Sequence, residues 1–352
     1  MKIFIITACM VLFTVVLLPL IIASVVMKLF IRRYDMGKYS FSLRIEDIEN
    51  KYPVRHVSFL SGKNRLHGYV FEGRSADSPL VVICHGLFGG AEEYLPFAMH
   101  FADQGYYVFM YDNTGCNRSE GKSIKGTFQG LYDLNSAMKY INSDKTLANR
   151  KRVLIGHSWG GFTAAAYPDK DSGFSCVVSL AGFDKPPLAI MDFLSGSYGK
   201  IFRLSLPYCY IISFLRYGKM CFMSAIKRMN ESGIPYLIIQ GKNDVIIHYD
   251  SAAIYAGRNR VADKRTVFML YDDEKHSKHD TIFRDADATE YMKSRYRLMK
   301  EIRKSKQKNT ENALKRAWEE TDRFRINRLD ERFCADMDGF IEKYISAEHK
   351  SE

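Results

Sequence analysis

One short segment constrains this chain more than any other. The apolar run Val153-Leu154-Ile155 leads into Gly156-His157-Ser158-Trp159-Gly160-Gly161, and the small-residue stretch Phe162 to Ala166 follows. The order reads strand, tight turn, helix. A strand that turns directly into a helix over a serine holds that serine in a strained conformation, and its neighbours must lack a bulky Cβ where the two elements crowd. The serine Oγ is then exposed at a helix N-terminus, where the dipole and free N–H groups favour developing negative charge. The competing reading is a glycine-rich turn with a solvated serine.

What else the chain supplies, and in which order, decides between them. Upstream, Leu80 to Cys84 is a buried-strand run ending in His85-Gly86-Leu87. Glycine there lets backbone approach a ligand, so the N–H groups of Leu87 and Trp159 can form a pair of oxyanion donors. Downstream, the strand Pro235 to Gln240 runs into Gly241-Lys242-Asn243-Asp244. Asp244 thus sits at a strand's C-terminal end, where open α/β sheets place their chemistry. A turn or helix-capping aspartate is the plainer alternative. A rival acid, Asp184, follows the strand Cys176 to Ala181. The strand Thr266 to Tyr271 precedes a polar loop holding His276 and His279. In the order Ser158, Asp244, His279, an imidazole can take the serine proton while a carboxylate fixes its tautomer. His276 and His279 also have the spacing of a metal pair, but no further ligand cluster supports one.

These segments resemble the α/β-hydrolase superfamily, in particular its lid-bearing serine esterase, monoacylglycerol lipase and serine aminopeptidase-like branch. The resemblance runs from about residue 55 to 346 and implies a mostly parallel, doubly wound sheet with a helical lid insertion. It implies Ser158 as nucleophile, Asp244 as acid through its Gly-x-x-Asp setting, and His279 rather than His276 as base. The stretch Asp112 to Gly121 is similar to the family's Asp-x-Arg-Gly-x-Gly-x-Ser loop. It departs from it at Thr114 and Asn117.

Additions surround that domain. From Ile3 to Ile31 the only charge is Lys28. The run exceeds both the ~20 residues of a bilayer crossing and the ~7–15 of a signal-peptide core. Residues 1–33 therefore read as one transmembrane anchor and 34–54 as a linker. Lys28, Arg32, Arg33 and Lys38 outnumber Lys2 and the amino terminus, which puts the domain on the cytoplasmic side. Seven scattered cysteines suit a reducing compartment. Residues 184–233, with Phe193, Tyr198, Phe202, Phe214 and Phe222, read as an apolar lid. Residues 293–320 read as a basic helical insertion. Lys293 to Arg316 holds ten Lys or Arg against two Glu, much of the chain's net +11. That is a solvated helix face or an attraction to anionic lipid; nucleic acid is not expected, since no recognition motif accompanies the charge. Residues 347–352 are a tail.

The expected chemistry is hydrolysis of an ester or thioester with an apolar acyl group, through an acyl-enzyme on Ser158 and without cofactor or metal. A peptidase or amidase would use the same residues. A catalytically silent, membrane-tethered binding protein of this fold is the alternative outside enzymes.

Overall fold

The computed structural model describes residues 1–305 and 309–346. Its strands are β1 (Val54–Ser61), β2 (Asn64–Phe71), β3 (Leu80–Cys84), β4 (Tyr107–Tyr111), β5 (Arg152–His157), β6 (Phe174–Leu180), β7 (Tyr236–Gly241) and β8 (Val267–Tyr271). They form one sheet in the order β1-β2-β4-β3-β5-β6-β7-β8. The β1–β2 and β2–β4 pairs are antiparallel and every pair from β4 to β8 is parallel. Strands β3, β5 and β7 are buried at every position. That is why they appear as unbroken apolar runs, since a parallel sheet is covered on both faces. At the edge, β1 alternates buried and exposed residues along its second half.

The helices run from α1 (Lys2–Leu12), α2 (Leu18–Ile31), α3 (Ile45–Ile48), α4 (Leu95–Asp103), α5 (Gln129–Ser143) and α6 (Trp159–Ala166) to α7 (Pro186–Tyr198) and α8 (Leu206–Tyr217). Then follow α9 (Ala225–Ser232), α10 (Ala286–Lys304), α11 (Thr310–Glu319), α12 (Arg323–Ile326) and α13 (Glu331–Ser346). One face of the sheet buries Phe97 and Phe101 of α4 with Phe333 and Phe340 of α13. The other buries Leu134 of α5, Phe162 of α6 and Met229 of α9. This is the doubly wound α/β arrangement expected from the sequence.

Helical backbone joins α1 to α2 through Phe13–Leu17. Within it, Lys2–Val25 has a mean hydropathy of 2.9 and no buried residue in its most apolar stretch. At 1.5 Å per residue its 24 residues span about 36 Å, enough for a bilayer core. A secretion signal near the N-terminus shares this apolar character.

Three segments differ from their expected boundaries. Residues 34–54 do not form a linker. Phe41, Leu43, Ile45 and Ile48 are buried, and Arg33 beside them donates to the carbonyls of Asn117, Ser119 and Gly121. Tyr34 joins the 112–121 loop by two backbone hydrogen bonds, to Gly115 O (2.9 Å) and from Asn117 N (2.8 Å). Phe41, Leu43 and Ile45 alternate at strand spacing, yet residues 41–48 form no strand and only the one-turn helix α3, so a pattern this short does not mark them as core. The lid excursion ends earlier than residue 233. Helix α9 packs Ala225, Ile226 and Met229 into the core, leaving α7, α8 and the short turns Lys200–Ser205 and Gly218–Phe222 as the excursion. The side chain of Tyr198 lies outside the described positions.

The basic stretch, too, is folded into the domain rather than inserted. Helices α10 and α11 pack Met299, Leu314 and Ala317 against Phe41. Glu311 takes hydrogen bonds from Lys38 and Tyr39, and the Trp318 indole donates to Ser40 O. Lys306 and Lys308 lie outside the described residues.

Candidate active site

The turn from β5 to α6 places Ser158 at φ 57°, ψ −115°, a region that L-residues seldom occupy. The flanking glycines make that turn possible. A Cβ on Gly156 would lie 2.0 Å from Gly160 O, and one on Gly160 would lie 2.0 Å from Cys84 O. Helix α6 therefore starts against the ends of both β3 and β5. Trp159 is its first residue, so its N–H has no intrahelical acceptor. Leu87, on the turn after β3, lines the same cavity as Ser158 and Trp159.

Two loops bring the other groups. Asn243 N donates to Ser277 O (2.8 Å) and Asn243 Nδ2 to Ser277 Oγ (2.9 Å), stapling the turn after β7 to the loop after β8. Only glycine fits at Gly241, whose Cβ would meet Ser277 O at 2.3 Å. Across this staple, His279 Nδ1 lies 2.7 Å from Asp244 Oδ2, and His279 Nε2 lies 2.9 Å from Ser158 Oγ. The Asp244 carboxylate also accepts from Ile246 N, Ile247 N and the Gln240 amide. Its burial opposes ionisation, but His279 and the backbone donors hold its pKa below the usual carboxylate value. Burial likewise disfavours the His279 imidazolium, yet the adjoining Asp244 charge leaves the His279 pKa above that of an ordinary histidine.

The competing candidates lie elsewhere. His276 Nδ1 is 2.9 Å from Asp273 Oδ1, and its Nε2 is 3.2 Å from Asp330 Oδ2. It sits between Asp273 and the start of α13 and forms no pair with His279. Asp184 accepts from Ser224 Oγ (2.5 Å) and Ile226 N (3.0 Å) and pairs with Arg260 (3.2 Å). It caps α9.

Two neighbours were not singled out from the sequence. His157 Nδ1 is 2.7 Å from the Tyr94 hydroxyl, and His157 Nε2 is 3.1 Å from His279 O. The Tyr94 hydroxyl accepts from Gly86 N at 2.9 Å. Tyr94 and His157 thus tie the Gly86 turn, the elbow and the histidine loop into one unit. Burial pulls the His157 pKa down to about 4, with His279 adding to the effect, so it stays neutral. His157 was legible only as the variable letter of the elbow. With His279 and Asp280 it brings three potential metal ligands within 4.8 Å. Both nitrogens of each imidazole already have partners, so an ion there would have to break the network.

The departures at Thr114 and Asn117 also have uses. Thr114 bonds Asp133 through its N–H and hydroxyl. Asn117 Oδ1 accepts from Met36 N at 2.8 Å, which holds the 33–36 segment in place.

Over Ser158 lies a cavity of about 490 Å³. Phe183, Ile190 and Ile246 supply apolar wall, and Ser40, Glu93, Arg284 and Tyr296 supply polar wall.

The sheet order is that of the α/β-hydrolase fold. Residues 79–204 match the family described as alpha/beta hydrolase fold. The proline iminopeptidase of Saccharolobus solfataricus is 34% identical over 117 residues, covering 32% of this chain and 36% of that enzyme. That of Lactobacillus helveticus is 31% identical over 117 residues, covering 32% and 39%. The matched region thus spans little more than a third of these relatives. An esterase of Pyrococcus furiosus superposes with a TM-score of 0.53 at 18% identity, over 75% of this chain and 96% of that one. An alpha-beta hydrolase from Vibrio vulnificus gives 0.53 at 18%, over 71% and 82%. The chain has the α/β-hydrolase fold, and its residues 79–204 match that family.

Proposed function

We propose that this protein is a serine hydrolase that cleaves a carboxylic ester or thioester through an acyl-enzyme on Ser158. The observation that carries the reading is the hydrogen-bonded series Ser158 Oγ, His279 Nε2, His279 Nδ1, Asp244 Oδ2, with steps of 2.9 and 2.7 Å. His279 takes the serine proton as Oγ attacks the carbonyl carbon. Asp244 holds the tautomer and stabilises the imidazolium. The N–H groups of Leu87 and Trp159 receive the oxyanion, and His279 returns the proton to the leaving alcohol or thiol. Water then attacks the acyl-enzyme with His279 again as base. The apolar wall favours an apolar portion in the substrate.

A second reading, peptidase or amidase, uses the same residues and is favoured by the names of the sequence relatives, proline iminopeptidases. We further propose that the apolar helix anchors the domain at the cytoplasmic face of a membrane, with the basic face of α10 toward anionic lipid.

Fluorophosphonate labelling tests the core of this reading. Wild type and His276→Ala should label, whereas Ser158→Ala and His279→Ala should not. Labelling that persists in Ser158→Ala would refute the assignment. A p-nitrophenyl ester series set beside aminoacyl-p-nitroanilides then separates esterase from peptidase.

A further inference from the structure

The cavity over Ser158 is lined by Arg284, a cation that forms no ion pair among the described residues. Arg284 leaves the histidine loop five residues after His279. Its backbone pairs with Leu329, and its Nη1 donates to Ile326 O. Its Nε is buried with no hydrogen-bond partner, and it forms no ion pair among the described residues. Burial lowers the Arg284 pKa, against the opposing pull of Asp280. Asp280 is exposed, so water screens much of that pull. Glu93, the other acid on this cavity, is engaged by Tyr34 Oη (2.6 Å) and Gly90 N (2.9 Å). A guanidinium withdrawn from water without an anion is costly to keep. Here the fold keeps a half-buried one on the wall of the cavity over Ser158.

The surroundings give that cation a direction. Tyr296 stands on the same wall, its ring edge-on to Phe41 with centroids 4.8 Å apart. Phe183, Ile190 and Ile246 form apolar wall in the same cavity. The cavity therefore offers both charged, hydrogen-bonding wall and apolar wall. A single guanidinium with Glu93 and Asp280 in the same cavity suits one negative charge better than the two of a phosphate monoester.

We propose that the substrate is an ester or thioester that itself carries a carboxylate, taken up by Arg284, while its apolar portion lies against Ile190 and Ile246. This rests on the serine-hydrolase reading and deepens it. A neutral acyl chain would leave the guanidinium as it is now. A carboxylate completes it and sets which end of the substrate faces Ser158.

The test compares two p-nitrophenyl esters on the full chain: the mono-ester of glutaric acid, and the same compound with its free carboxyl methylated. Wild type should favour the acidic ester in kcat/KM by roughly tenfold or more, from a charge-assisted hydrogen bond. Arg284→Gln should collapse that ratio, mainly through KM, and Arg284→Lys should restore part of it. An unchanged ratio in Arg284→Gln, or no preference in wild type, overturns the proposal. Should Arg284→Gln fail to fold, wild type alone decides. Free glutarate should competitively inhibit hydrolysis of the neutral ester and glutaramide should not; equal inhibition overturns the proposal. Ser158→Ala separates the two levels. Turnover of neither ester in a Ser158-dependent way removes the hydrolase reading and this one with it. Ser158-dependent turnover without acid preference removes only this one.

Discussion

Substituting alanine for Gly160 should separate the serine from one of its two proposed oxyanion donors, the Leu87 N–H, without touching any reacting group. The added Cβ would lie 2.0 Å from Cys84 O, 2.6 Å from Cys84 C and 2.8 Å from His85 O, all backbone atoms. Real Cβ contacts essentially never fall below 3.0 Å. Helix α6 must therefore retreat from the end of β3 by at least about 1 Å, the difference between 3.0 and 2.0 Å. Ser158 and the Trp159 N–H travel with α6, whereas Leu87 stays on the turn after β3. A displacement of that size costs on the order of 10²-fold in rate, and the overpacking costs about 1–3 kcal/mol of stability. The melting temperature then falls by about 2–4 °C per kcal/mol in a domain of 150–250 residues, and by less in a longer chain. The control is Gly339→Ala in α13, where nothing lies within 4 Å of the new Cβ. There the same change should stabilise by up to about 1 kcal/mol, from helix propensity alone. Fluorophosphonate inactivation rates and thermal melts measure both. If Gly160→Ala is labelled at the wild-type rate, the close approach of α6 to β3 does not position the serine.

Asp244→Asn should lower turnover by about 10³–10⁴-fold and move the acidic limb of the pH–rate profile. As the proposed base, His279 must be neutral to take the serine proton, and Asp244 raises its pKa against the opposing effect of burial. Activity is then lost as pH falls through that raised value, and the limb should shift to lower pH in the variant. An unmoved limb assigns the titration to another group. Full-length protein should bind anionic vesicles more tightly than neutral ones, by on the order of 1 kcal/mol for each basic group engaged. Added salt should shrink the difference, as should changing the exposed Arg297, Lys300, Arg303 and Lys304 to Gln. Equal binding to both vesicle types would count against the lipid-facing role of α10.

What the sequence could and could not announce follows from the range of the interactions involved. The strands β3, β5 and β7 are apolar at consecutive positions because both their faces are covered, so a local pattern suffices to find them. Ser158 was legible for the same reason, since its strain is met by neighbours two residues away. His276 and His279 share one loop, and nothing local tells them apart. Asp330 and the Asn243–Ser277 staple decide it, across long separations that spacing does not encode. Phe41 is core only because α10 and α11, more than 240 residues later, close over it. Arg284 reads as one more basic residue in a basic chain until the fold brings it to the wall that holds Ser158.

The join between the apolar helix and the domain has a mechanical consequence. Ile31 O accepts from Ile124 N at 2.8 Å, and Tyr34 is already hydrogen-bonded to the loop beneath it and lines the cavity. No free length of chain separates the two. A domain on a long tether samples a wide volume and meets whatever diffuses through it. This one is coupled stiffly, so its mouth keeps a set height and tilt relative to whatever holds the helix. With the helix held in a membrane, as proposed, access to Ser158 would depend partly on standoff distance, and inserting a few flexible residues after Ile31 would alter which molecules reach it without changing a single contact inside the cavity.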